Sequence, residues 1–161
     1  MNYREARKIA RRAEHAFRLP HDATIQLIHE KLERKRGRTI TVAELPELAG
    51  EEICGIWLIC KDRDIILHAP TQSDWHRQHI ILHEFSHMIL EHDADGQRSE
   101  MTKKLLPDLN AEDVLRVLAR SSYTDKAELA AEALADQLAT RILNSDAGTP
   151  PEPLAFRKVF G

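Results

Sequence analysis

No apolar run in the sequence approaches the roughly 18 residues that a membrane-spanning helix needs. The opening stretch, MNYREARKIARRAEHAF, is charged throughout and lacks the apolar core of a secretory signal. Cysteine is scarce: Cys54 and Cys60 are the two present, both in ICGIWLIC. On one extended strand their side chains lie too far apart to bridge, so they are expected to be reduced core thiols. Charge of one sign is lacking too. Lys and Arg number 23 against 26 Asp and Glu, a net of −3, which gives no global attraction to nucleic acid. There is no internal repeat and no sign of a second domain. These absences point to a cytoplasmic protein with no membrane association and no direct nucleic-acid contact. What is present is a globular composition, 42% apolar and 30% charged over 161 residues, enough for one hydrophobic core.

Apolar positions at Ala6, Ile9, Ala13 and Phe17 predict a helix over Tyr3 to Phe17 with Asn2 as N-cap. A second helix opens near Pro20 and Asp22 and stops at Gly37. The run Lys31-Leu32-Glu33-Arg34-Lys35-Arg36 reads as cations complementing the last helical turn rather than as a nucleic-acid patch. Three strands follow, Thr39 to Leu45, Ile53 to Cys60 and Ile65 to His68, the last read as an edge strand with which an extended peptide could pair. The second is almost continuously apolar and predicts a central strand buried on both faces. Ser73 caps a helix from about Asp74 to Glu91. Asp93 to Asp108 reads as a loop, Ala111 to Arg120 as a short helix capped by Asn110, and Asp125 to Leu143 as a longer helix capped by Thr124. The fold class is α+β, a small, mainly antiparallel sheet packed with helices. One domain covers 1–161, with N-terminal helices over 1–37, a core over 38–144 and a proline-containing tail over 145–161.

The chemistry is carried by His83-Glu84-Phe85-Ser86-His87. Residues i and i+4 share a helix face, so both imidazoles can reach one zinc ion, and Glu84 beside them can take a proton from a water whose pKa the zinc lowers to about 7. With nine His and fifteen Glu in the chain, random placement gives this HExxH pattern roughly 0.05 times, so chance is a poor explanation. The motif also lies among Ile80, Ile81, Leu82, Met88, Ile89 and Leu90, where unsatisfied His and Glu are costly.

Three carboxylates compete for the third ligand position. Glu132 leads, with Asp136 one turn on holding a ligand histidine from behind. Asp93 lies ten residues after His83, but position 90, where the chain must turn, is Leu and not Gly. Glu128 is the weaker alternative. His76 and His79 fall on the face of His83 and His87 and are candidates for lining a substrate cleft or stabilising an oxyanion. His92 and Tyr123 are further hydrogen-bond candidates. Asp93-Ala94-Asp95-Gly96 lacks the remaining ligands of a calcium loop.

The segments HEFSHMILEH (83–92) and EALADQLATRIL (132–143) resemble the two motifs of the ImmA/IrrE metallopeptidases, with departures at Ser86 and at Leu138-Ala139. The resemblance implies a zincin-like fold with the HExxH on its central helix. It implies zinc on His83, His87 and Glu132, and Glu84 as base. It also implies a regulatory hydrolase acting on a helix-turn-helix repressor in bacteria. The alternative is a non-catalytic, metal-containing interaction module that regulates a repressor by binding it.

Overall fold

The computed structural model describes residues 2–93 and 113–147. Among these, four α-helices surround a four-stranded mixed sheet, an α+β architecture. Helix α1 (Tyr3–Phe17) opens with a reciprocal capping box between Asn2 and Glu5, which satisfies two otherwise orphaned backbone donors. Helix α2 (Ile25–Arg36) is capped by the Thr24 side chain, later than the Pro20–Asp22 start expected from sequence. It ends at Gly37, whose φ of 68° suits a residue without a Cβ.

Strands β1 (Thr39–Glu44), β2 (Gly55–Cys60) and β3 (Arg63–His68) form a sheet with β4 (Val114–Leu118) in the order β1-β3-β2-β4. β2 pairs antiparallel with β3 and β4, whereas β1 pairs parallel with β3. The sheet is thus mainly antiparallel, with one parallel seam. β2 is central and buried at every position, as its apolar run predicts. Trp57 and Ile59 face the helices, while Ile56, Leu58 and Cys60 face a second cluster with Leu45, Leu48 and Val117. Both cysteines are free.

Two expectations need correction. The short helix over Ala111 to Arg120 is instead β4 over its described part. Val114 and Val117 are β-branched, and the open edge of β2 offers backbone partners that a helix leaves unused; the expected cap, Asn110, lies outside the described residues, as does the loop after Asp93 as far as Asp108. Nor is Ile65 to His68 an edge. β3 lies between β1 and β2, and the sheet edges among the described residues are β1 and β4.

Helix α3 (Asp74–Ile89) carries the HExxH segment and is capped by Ser73, whose Oγ accepts from the His76 amide. Helix α4 (Asp125–Ala147) is capped by Thr124, whose Oγ1 accepts from Ala127, and runs past the expected end at Leu143 into the start of the proline-containing tail. Its Ala131, Leu134, Ala135 and Leu138 are fully buried, and small side chains at this seam let α4 approach α3 closely. α1 closes the other side of α4. No helix among the described residues is long and apolar enough to cross a membrane.

The basic run at the end of α2 is only partly solvated. Arg36 turns inward: its Nε lies 2.5 Å from Asp64 Oδ2, and its guanidinium stacks over Trp57. Arg38 approaches the other Asp64 oxygen at 3.4 Å. Asp64 is wholly buried, so these cations offset a desolvation that an unpaired carboxylate cannot tolerate.

Candidate metal centre

Three histidines on α3, spaced by one helical turn, face three carboxylates on α4 with the same spacing. The two helices run antiparallel, so His87 meets Glu128, His83 meets Glu128 and Glu132, and His79 meets Glu132 and Asp136. The i, i+4 repeat on both helices makes this ladder possible.

One group converges as metal ligands do. Nε2 of His83 and Nε2 of His87 are 3.2 Å apart. Glu128 puts Oε1 2.9 Å from the His87 nitrogen and Oε2 3.4 Å from the His83 nitrogen. Donors about 2.0–2.1 Å from a tetrahedral ion have separations of this order. His83, His87 and Glu128 are therefore placed to hold a metal ion, and so, in a second group, are His79, Glu132 and Asp136.

Glu132, expected as the third ligand, is on the far side of the ring. Its Oε2 lies 3.0 Å from Nδ1 of His83, where it accepts that N–H and turns Nε2 toward Glu128. Sequence placed this orienting role on Asp136. That residue instead accepts from the Tyr3 hydroxyl at 3.2 Å and comes within 4.0 Å of His79. The carboxylate that completes the converging group, Glu128, thus lies one turn before the expected Glu132 on α4. Asp93 does not join the group: its carboxylate lies 3.8 Å from Arg36, and its carbonyl accepts from Arg116.

His87 is fully buried. Its other nitrogen, Nδ1, meets His92 Nδ1 at 2.9 Å, and its ring stacks on Tyr123. His92 and Tyr123 are therefore part of the centre. His76 is exposed and belongs to neither group of converging donors among the described residues.

Glu84, next to His83 on α3, is buried, and its Oε2 has no hydrogen-bond partner among the described residues; the same holds for the Tyr123 hydroxyl. Gly55, the first residue of β2, makes room for Glu84. A Cβ there would lie 2.8 Å from Glu84 Oε1 and 3.2 Å from Cγ. The two unpaired atoms belong to residues that adjoin the converging imidazoles, Glu84 next to His83 in sequence and Tyr123 stacked on His87, as a site for an ion and a polar reactant requires.

The charges follow from this packing. Burial pushes the Glu84 carboxyl up to about 7, against the pull of His83. Burial likewise lowers His87 to about 4, although its bond to Glu128 acts the other way. For His83, burial also opposes the charge, but the bonds to Glu128 and Glu132 prevail and raise it to about 10. Burial works against the charge of Glu128 as well, and its two histidine partners still hold it down to about 2. Glu132 is lowered by its bonds to His79 and His83. Tyr123 is raised by burial and by the nearby charges of Glu84 and Glu128. The centre thus pairs one carboxylate that stays ionised with one that titrates near neutrality, the division expected of a ligand and a base.

Glu128 was legible only as the weaker alternative, and Gly55, Tyr3 and Arg36 carried no local signal of their positions. No family model, no curated protein and no solved structure matches the chain.

Proposed function

We propose that the protein is a zinc-dependent endopeptidase of zincin-like type, with His83, His87 and Glu128 as ligands and Glu84 as general base. The observation that carries this reading is the placement of Glu84. It is buried and unpaired next to His83 on α3, near enough to His83 and Glu128 for their charges to act on it, with Gly55 leaving space for it. When bound, zinc supplies a Lewis acid that polarises a carbonyl and lowers the pKa of water to about 7. The residues of the chain do the rest. Glu132 and His92 fix the tautomers of the two ring ligands from behind. Glu84 accepts the proton of the attacking water and hands it to the leaving amine, a task suited to a carboxyl raised to about 7. Tyr123 offers a buried hydroxyl that donates to the oxygen on which charge develops. β4, an edge strand among the described residues, runs through Ala119 into the turn before Tyr123, and an extended peptide can pair with it.

The substrate class follows the resemblance to ImmA/IrrE peptidases: an intracellular helix-turn-helix repressor. The test incubates the zinc-loaded wild type and Glu84→Gln with a proteome-derived peptide library and with the helix-turn-helix repressor encoded nearest to it, read by intact mass. New termini formed by the wild type alone, and abolished by chelator, are expected. If both proteins bind the repressor equally and neither cuts repressor or peptide, the interaction-module reading replaces the peptidase.

A further inference from the structure

The ladder continues past the group assigned to catalysis. At its outer end His79 Nε2 lies 3.1 Å from Glu132 Oε1 and 4.0 Å from Asp136 Oδ1, and the three donors lie within 4.8 Å of one another. Ligand atoms about a single transition-metal ion are separated by about 3–4 Å. Each carboxylate has one oxygen already engaged: Glu132 Oε2 by His83 Nδ1, and Asp136 Oδ2 by the Tyr3 hydroxyl. The remaining oxygens, Oε1 and Oδ1, are the ones aimed at the imidazole. Outer hydrogen bonds that hold a ligand's idle atom are what orient a metal site. His79 is the element that separates this group from a plain acidic surface, since an imidazole nitrogen between two carboxylates selects a borderline metal over Mg²⁺ or Ca²⁺. All three side chains are partly exposed, so an ion can enter from solvent and keep water ligands.

We infer that His79, Glu132 and Asp136 form a second divalent transition-metal site, weaker than the first and joined to it through Glu132. One oxygen of that carboxylate serves the second ion while the other accepts from His83. A cation on Oε1 draws charge away from Oε2 and loosens its hold on the His83 ring. Two dications on neighbouring turns also repel. The coupling is therefore negative, and by linkage it is equal in both directions. An excess of zinc fills the second group and weakens the first, a built-in brake on a protein loaded in surplus metal. The second site stands on its own donors and does not depend on the peptidase reading; only the brake does.

The experiment is equilibrium dialysis of the full chain against zinc, with free metal buffered from nanomolar to submillimolar and bound metal counted by elemental analysis. Four proteins are compared: wild type, His79→Ala, Asp136→Asn and His87→Ala, each checked for helix content by circular dichroism. The wild type is expected to take up a tight and a weak equivalent. His79→Ala and Asp136→Asn each lose the weak one, or bind it more than about 10-fold less tightly. Both keep the tight one. His87→Ala shows the reverse, losing the tight equivalent and keeping the weak one. The inference is overturned if the wild type takes up no second equivalent, or if both outer variants bind it with wild-type affinity. A tight equivalent that survives His87→Ala would count against the first site alone, so the two assignments fail separately.

Discussion

Tyr123 lies flat on His87, with ring centroids 3.7 Å apart and planes 6° from parallel. The stack fixes the rotation of a buried ligand ring, while the Tyr hydroxyl beyond it is buried and unpaired. The two functions separate on substitution. Tyr123→Phe keeps the stack and removes a polar atom that lacks a partner, so the metal-free protein should be at least as stable as the wild type in urea unfolding. Zinc affinity should hold, whereas peptide hydrolysis should fall by about 10²–10³-fold, as when one oxyanion donor is removed. A clear loss of stability in Tyr123→Phe would show that the hydroxyl serves the fold.

Glu128 and Glu132 are predicted to differ in kind. Glu128→Gln removes a ligand and should cost the protein its tight zinc. Glu132→Gln removes only the acceptor behind His83 and should weaken that zinc by about 10–100-fold. Competition with a chromophoric chelator measures both. The opposite ranking would return the ligand role to Glu132.

The pH dependence of stability gives an independent reading of Glu84. Its ordinary value of 4.5 is raised to about 7 by burial. Between these values the folded chain holds the proton more tightly than the unfolded chain does. The stabilisation is fully present below 4.5 and is lost as pH rises through 7. In the presence of chelator, the wild type should therefore lose stability relative to Glu84→Gln as pH climbs through this window, by a few kcal/mol at most. Urea unfolding of both proteins from about pH 5 to about pH 8 measures the difference. A gap that stays constant with pH would mean that Glu84 keeps an ordinary carboxyl.

Gly55→Ala tests the space behind the base. The added methyl meets Glu84 Oε1 at 2.8 Å and Ile80 Cγ2 at 3.2 Å. The carboxylate is the end of a flexible side chain and gives way first, so the fold should survive at a cost of about 1–3 kcal/mol. Zinc should remain and hydrolysis should collapse, a pattern that thermal melting, metal analysis and peptide cleavage together distinguish from unfolding. Wild-type turnover in Gly55→Ala would show that Glu84 need not occupy its observed position.

How much of this was legible in the sequence depended on distance along the chain. The caps at Asn2, Ser73 and Thr124, the end of α2 at Gly37 and the buried β2 were readable because each rests on neighbours a few residues apart. The HExxH pair was readable for the same reason. Val114 to Leu118 was misread because its short apolar pattern fits helix and strand alike, and the choice is made by the open edge of β2 more than fifty residues earlier. Which carboxylate converges with His83 and His87 was not readable, because Glu128, Glu132 and Asp136 all share one face of α4. Spacing within a helix cannot say which of them stands opposite His87.

That ambiguity is physical as well as inferential. A ladder that repeats every four residues on both helices nearly maps onto itself when one helix slides by a turn, about 5.4 Å. After such a slide Glu132 would meet His87 and Asp136 would meet His83, with little change in charge. The acids and imidazoles therefore supply the attraction between α3 and α4 but not its phase. The phase comes from a feature without that periodicity, the aromatic plane of Tyr123 on His87 just before α4 begins. Like the fine scale of a vernier, this single stack decides which carboxylate stands opposite His87.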